Sequence, residues 1–226
     1  MSLSIIMPVL DEAAGIEAAL RALAPFRARG VEVIVVDGGS RDGTAGLARP
    51  FADCVIEAPR GRAFQMNAGA AAAHGDVLLF LHADTRLPDE ADSLLLDGLA
   101  HSGRAWGRFD VRFDGAGLAL VAVMVNWRSR LTGIATGDQA MFMTRATFHA
   151  AGGFPPIALM EDVALSAQLK RSGRPLALRA RVTTSGRRWR EHGALRTVLL
   201  MWKLRLAYYF GADPARLAQA YGYAER

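Results

Sequence analysis

In this chain of 226 residues, acidic side chains stand where apolar runs stop. Asp84 follows Val77-Leu78-Leu79-Phe80-Leu81 within His82-Ala83-Asp84-Thr85. A carboxylate at the mouth of a buried strand is costly unless it is paired or bound to a cation. Mg²⁺ and Mn²⁺ take one or two carboxylates and complete their shells with water and substrate phosphates. Asp84 is therefore a candidate ligand in a metal–diphosphate arrangement, with a cap on the Leu87-Pro88-Asp89 turn as the plainer alternative. His82 is balanced between ligand contact and packing. Asp37-Gly38-Gly39-Ser40-Arg41-Asp42-Gly43-Thr44 ends another apolar run. Its glycines permit positive φ and close backbone approach, and Asp37 could accept hydrogen bonds from a base or ribose. Arg60-Gly61-Arg62 precedes a helical stretch and makes a plausible anion cradle. Glu161-Asp162 opens a helix, where relief of the macrodipole alone would account for acidic residues.

The elements that position these groups follow from periodicity. Ser4–Val9, Val31–Val36 and Val77–Leu81 are continuous apolar runs that predict buried strands. Cys54–Ile56 is a shorter one. Helical spacing covers Glu17–Phe26, Thr44–Phe51 and Phe64–Ala73. Strands apolar on both faces and alternating with helices indicate a parallel sheet covered on both sides, an α/β fold. Right-handed crossovers then bring Asp11, Asp37 and Asp84 to one sheet edge, where open α/β sheets bind ligands. The second half is less regular. It holds strands at Trp106–Phe113 and Ala140–Met143, a turn at Gly152-Gly153-Phe154-Pro155-Pro156, and helices over Val163–Lys170 and Leu195–Phe210.

Composition narrows the class. Hydrophobic residues make up 51% and charged residues 22%, as in a globular protein. A single cysteine, Cys54, excludes an intramolecular disulfide framework and favours a reducing, cytoplasmic setting; a small buried apolar side chain is its plain role. The N-terminus lacks the features of a signal peptide. The longest apolar run, Ala116–Val125, falls well short of the roughly 18 residues a spanning helix needs. The formal charge of +5 is dominated by arginine, and basic residues crowd the stretch from Lys170 to Arg196. That pattern suits a diphosphate, a lipid head group or nucleic acid, with a solvated basic face as the bland alternative. No G-x-G-x-x-G follows the first strand, which disfavours a nicotinamide or flavin enzyme.

The order Pro8-Val9-Leu10-Asp11-Glu12, Asp37 to Thr44, Asn67-Ala68-Gly69, His82-Ala83-Asp84, Gly152-Gly153-Phe154 and Glu161-Asp162 resembles the inverting family-2 glycosyltransferases of GT-A fold. The match runs from residue 4 to about 175. The short chain and Gly137-Asp138-Gln139 resemble a small bacterial subgroup. The resemblance implies a mostly parallel sheet flanked by helices over residues 1–190, with a nucleotide half to about 100, an acceptor half after it, and a helical extension at 191–226. It implies a nucleotide-sugar donor, a divalent cation (Mg²⁺ or Mn²⁺) on Asp84, and Asp162 as the base. Asp37 would contact the nucleobase, and Asp11 and Glu12 would border the nucleotide. Pro8, Asn67, Asp138, Gln139 and Glu161 fall on the substrate side of the same motifs. Two departures stand out: His82 replaces the first aspartate of the family's D-x-D pattern, and Met66 stands where arginine is common. Arg187-Arg188-Trp189 faintly resembles the Arg-Trp element of processive members, without their glutamine or membrane helices.

The expected reaction is a single inverting displacement at the anomeric carbon. Asp162 takes the proton of an acceptor hydroxyl, and the cation, with Arg60, Arg62 or Arg187-Arg188, meets the charge growing on the leaving diphosphate. The rivals are a non-catalytic nucleotide-binding module and a nucleotidyltransferase. The second would want a glycine-rich basic loop after the first strand, where this chain has Asp11-Glu12-Ala13-Ala14-Gly15. Nucleic acid is disfavoured because the basic stretch lacks interleaved stacking aromatics apart from Trp189. The helix at Leu195–Phe210 is apolar nearly all round and must be buried somewhere. An anionic membrane surface leads, giving a peripheral position on the inner face and a lipid or lipid-linked acceptor; packing on its own domain or a homodimer interface are the alternatives.

Overall fold

The structure is a computed structural model describing residues 1–115 and 117–223 and, at Arg188, the main chain alone. Ala116 of the apolar run and residues 224–226 of the C-terminal extension lie outside the described residues. The first half runs β1 (Leu3–Val9), α1 (Ile16–Arg21), α2 (Ala24–Ala28), β2 (Glu32–Asp37), α3 (Thr44–Ala48), β3 (Cys54–Glu57), α4 (Arg62–Ala72), β4 (Val77–Phe80), β5 (Thr85–Arg86) and α5 (Ala91–Ser102). The second half runs β6 (Trp106–Phe113), α6 (Ala119–Thr132), β7 (Phe142–Thr144), α7 (Arg145–Ala150), α8 (Glu161–Leu169), β8 (Leu176–Thr184), α9 (Arg187–His192), α10 (Ala194–Tyr209) and α11 (Pro214–Tyr221).

One sheet carries the strand order β3-β2-β1-β4-β7-β6-β8-β5. β1 lies between β2 and β4, parallel to both, with Ile6 opposite Ile34 and Phe80. Successive residues of these strands feed opposite layers. Ile5, Met7, Val33, Val35 and Leu79 join one core; Ile6, Ile34, Val36, Leu78 and Phe80 join the other. Burial on both faces explains why these strands are apolar throughout. Each such side chain contributes roughly 1.5–3 kcal/mol by leaving water. On the second layer α4 comes close enough that a Cβ on Gly69 would meet Ile6 Cγ2 at 2.4 Å and Val36 Cγ2 at 2.9 Å.

The expected helix at Glu17–Phe26 is two short ones, because Pro25 is tolerated only in a first turn and so begins α2. The expected helix at Thr44–Phe51 stops at Ala48, and Pro50 lies in a 3₁₀ turn, Arg49–Phe51. Cys54 is free and half-buried rather than buried, at the start of β3. Strand β8, which pairs in parallel with β6, was hidden from periodicity by the exposed Arg179 and Arg181. Helix α10 is not buried all round: Thr197 and Leu204 turn inward, while Leu199, Trp202 and Leu206 stay exposed. Among the described residues, no helix is long and apolar enough to cross a membrane.

Candidate active site

The C-terminal ends of the parallel strands β1, β2 and β4 deliver Asp11, Asp37 and Asp84 to one edge of the sheet. Asp37 is buried, and its Oδ2 accepts from the Ser40 amide at 3.0 Å while the Ser40 hydroxyl donates to Oδ1. Asp11 adopts φ 54°, and its Oδ1 accepts from the Arg41 amide at 2.8 Å. Its own amide donates to Ser40 Oγ at 2.9 Å. The loops after β1 and β2 are thus fixed by each other. Gln65 of α4, which periodicity gave no reason to select, reaches under them. Its Nε2 donates to Val9 O at 2.7 Å and Val36 O at 2.9 Å, tying both strand ends to the helix.

Asp84 is exposed, and its Oδ1 is within 3.3 Å of Thr85 Oγ1 and 3.5 Å of Thr184 Oγ1. Burial, reinforced by the charge of Asp84, holds Glu12 above the usual carboxylate range, with Arg187 pulling the other way. Asp84 and Glu12 are close enough for their charges to act on each other, and Arg187 and Arg62 act on Glu12 in the opposite sense. Among the described residues no group of three or more His, Cys, Asp or Glu side chains gathers where it could hold a metal ion. The chemistry of a two-carboxylate donor set, Asp84 and Glu12, matches an ion that completes its shell with water and phosphate oxygens.

Across the cavity, Met160 takes the left-handed conformation, φ 70°, directly before Glu161-Asp162. A non-glycine residue held there marks an over-determined turn. It sets Asp162 so that Oδ2 accepts from the Gly137 amide at 2.8 Å and Oδ1 from the Val163 amide at 2.7 Å. Glu161 is buried; its burial and then the adjacent Asp162 charge push it up to about 7, against the pull of Arg62. His82 packs on Gly137 so closely that a Cβ there would meet its Nε2 at 2.6 Å. Loss of solvent and then the Arg62 charge lower His82 to about 3, which leaves the imidazole neutral.

These groups line a cavity of about 840 Å³. Of the sequence candidates, Pro8, Glu12, Arg60, Arg62, His82, Asp84, Asp138, Glu161, Asp162 and Arg187 lie on its wall, whereas Asp11, Asp37, Asn67 and Gln139 do not. Asn67 is engaged elsewhere. Its amide donates to Phe154 O at 2.8 Å and its Oδ1 accepts from Phe154 N at 2.9 Å, which pins the Gly152-Gly153-Phe154 turn to α4. Gln139 is buried in a capping box with Thr136. The side chain of Arg188 lies outside the described residues. The basic stretch is dispersed rather than gathered: Arg174 donates to Leu131 O, Arg190 pairs with Asp114, and among the described side chains from Lys170 to Arg196 only Arg187 joins the wall as a cation.

The last two helices complete the enclosure. Thr197, Met201 and Arg205 of α10, Ala215, Ala218, Gln219 and Tyr221 of α11, and Tyr223 all face the cavity. Arg62 stacks over the Tyr223 ring at 5.4 Å. Leu204, Leu217 and Ala218 seal against Leu159 and Met160, next to the acidic pair. None of this wall is visible in sequence spacing, since it depends on where α10 returns.

The profile of Glycosyl transferase family 2 matches residues 4–148. The PGL/p-HBAD biosynthesis glycosyltransferase of Mycobacterium tuberculosis is 40% identical over 98 residues, covering 40% of this chain and 38% of the relative. The chain thus spans well under half the length of the curated relatives it matches. Among solved structures, S. aureus TarS 1-349 in complex with UDP-GlcNAc aligns with TM-score 0.69 and 19% identity, covering 82% of this chain and 58% of that one. The mannosyltransferase PcManGT from Pyrobaculum calidifontis, in complex with GDP-Man and Mn²⁺, aligns with TM-score 0.68 and 22% identity over 98% of this chain and 69% of that one. These likenesses establish the α/β GT-A fold, with its curled, mostly parallel sheet flanked by helices.

Proposed function

The chain belongs to glycosyl transferase family 2, and from that premise we propose that it moves a sugar from a nucleoside-diphosphate donor to an acceptor hydroxyl by an inverting displacement. The observation that carries this reading is that Asp162, the Asp84–Glu12 pair and Arg60, Arg62 and Arg187 line one cavity, with Arg62 acting on both Glu12 and Asp162. The nucleobase end is assigned to the Asp11–Asp37–Ser40 network adjoining Pro8, and the diphosphate to the arginines. Asp84, with Glu12 beside it, would hold a divalent cation. Bound there, the ion supplies positive charge to the leaving diphosphate. Asp162 takes the acceptor's proton, held at the cavity wall by its two backbone donors. The Gly137 amide fixes that carboxylate's position, and neutral His82 packs on the same glycine. Arg62, facing both Glu161 and Asp162, adds charge on the donor side. Incubation with a panel of nucleotide sugars tests the reading. Release of nucleoside diphosphate from at least one donor, dependent on Asp162, is expected; no release from any would overturn it.

The acceptor is assigned to the C-terminal side, at an anionic bilayer. Leu120, Trp127 and Leu131 of α6 and Leu195, Leu199, Trp202 and Leu206 of α10 are each between 57% and 74% exposed. Neither helix carries an acidic residue, while Arg130, Arg196 and Lys203 accompany the apolar stripes. An apolar surface of this kind marks an interaction site; tryptophans at its level and a purely cationic complement suit anionic head groups. Co-sedimentation with phosphatidylglycerol vesicles, absent with phosphatidylcholine and lost in Leu199→Glu and Trp202→Glu, is expected. A concentration-dependent dimer that ignores vesicles would assign the stripes to a second copy instead.

A further inference from the structure

Two arginines on the acceptor side have no part in the reaction as described. Arg205 of α10 lines the cavity together with Asp138 and Asp162. Arg128 of α6 stands beside it, and burial followed by the Arg205 charge lowers its guanidinium to about 10. Arg128 Nη1 donates to Ile134 O at a long 3.3 Å. Its Nε and Nη2, and the Nε of Arg205, are buried without a hydrogen-bond partner among the described residues. Such groups are disfavoured in a folded protein unless something meets them.

Asp138 and Asp162 act on these guanidiniums through their charges, but among the described residues neither pairs with them directly. Asp138 accepts from Thr136 Oγ1 at 2.5 Å and makes no ion pair among the described residues. Burial also moves its carboxyl toward the protonated form. Asp162 is held by the Gly137 and Val163 amides and faces Arg62 as well. By contrast, the buried Arg108 and the neighbouring Arg130 share the carboxylate of Asp110. The same helix α6 therefore carries one arginine that is matched and one that is not. The unmatched one, Arg128, acts on Arg205, which lines the cavity.

We propose that Arg205, backed by Arg128, binds an anionic oxygen group, phosphate or carboxylate, carried by the acceptor close to the hydroxyl that Asp162 deprotonates. A forked guanidinium fits such a group with two donors. The placement on the acceptor rests on the glycosyl-transfer reading; the anion site itself does not. Two sources share this chemistry, a soluble phosphate ester and the headgroup of an anionic lipid at the apolar stripe.

The test is calorimetric titration of the full chain with glycerol 3-phosphate at low ionic strength, alongside vesicle co-sedimentation. Saturable binding is expected, weakened at least tenfold in Arg205→Gln and in Arg128→Gln and retained in Arg62→Gln. Loss in Arg62→Gln with unchanged binding in Arg205→Gln would place the phosphate in the donor half and overturn the proposal. If glycerol 3-phosphate does not bind, Arg205-dependent binding of phosphatidylglycerol vesicles supports the lipid source. Absence of both Arg205-dependent signals overturns the site. Unaltered thermal unfolding of the variants separates a lost site from a lost fold. Failure to release nucleoside diphosphate from any nucleotide sugar would remove the transferase reading while leaving these titrations as they stand.

Discussion

The backbone amide of Gly137 donates to Asp162 Oδ2 at 2.8 Å, so a 3₁₀ turn and a helix start are joined at the carboxylate assigned as base. The same glycine gives His82 its place. A methyl group there would come within 2.6 Å of His82 Nε2 and 2.7 Å of its Cε1. Gly137→Ala is expected to displace the imidazole or the turn and to lower nucleoside diphosphate release roughly 10- to 100-fold, since misplacement of about 1 Å has effects of that order. Steady-state rates with an unchanged circular-dichroism spectrum would show it; a wild-type rate would sever the link.

Asp162→Asn keeps shape but removes the proton acceptor. Transfer should fall by roughly two or more orders of magnitude while donor binding persists. A rate near wild type would mean that the base is another group.

Asp84→Ala should abolish turnover and weaken the divalent-dependent part of nucleoside diphosphate binding. The fold should survive, because Asp84 is exposed and makes only long contacts with two threonine hydroxyls. Calorimetry with and without Mn²⁺ decides. Binding that keeps its full response to the metal in the variant removes Asp84 from the site.

The sequence was most informative where burial left no choice. β1, β2 and β4 are apolar on both faces, so their ends, and with them Asp11, Asp37 and Asp84, could be located by counting. It was least informative where a side chain's partner is far away in the chain. Asn67 reads as part of a substrate motif, yet it serves Phe154, 87 residues on. Gln65 carries no sequence signal because its role exists only once β1 and β2 lie side by side. β8 escaped notice because exposed Arg179 and Arg181 made a strand look like a charged stretch.

Glu161 gives a pH signature of stability. In the unfolded chain its carboxyl titrates near the ordinary 4.5; folded, it is raised to about 7. Between those values the native state binds more protons than the unfolded state, so stability should fall as pH rises through that window and level off above it. Glu161→Gln should flatten this dependence in urea unfolding between pH 5 and 8. An identical slope in both proteins would assign it to other groups.

Gly69→Ala tests the packing of α4 on the sheet. The added methyl collides with Ile6 and Val36, and overpacking of this kind costs about 1–3 kcal/mol. A lowered urea midpoint with an unchanged slope is expected, and a cost in Gly69→Ala/Ile6→Ala smaller than the sum of the two single variants would locate the clash.

Because Tyr221 and Tyr223 line the same cavity as Pro8, the pocket joins residues that lie far apart in the chain. During synthesis the sheet can pair β1, β2 and β4 once residues to Phe80 have emerged, and domains begin to fold as they leave the ribosome. The nascent protein can therefore own its nucleotide edge long before it owns an enclosed reaction space. Competence arrives late, with the return of α10 and α11, and a chain stalled before them would be folded at one end and open to water at its chemistry.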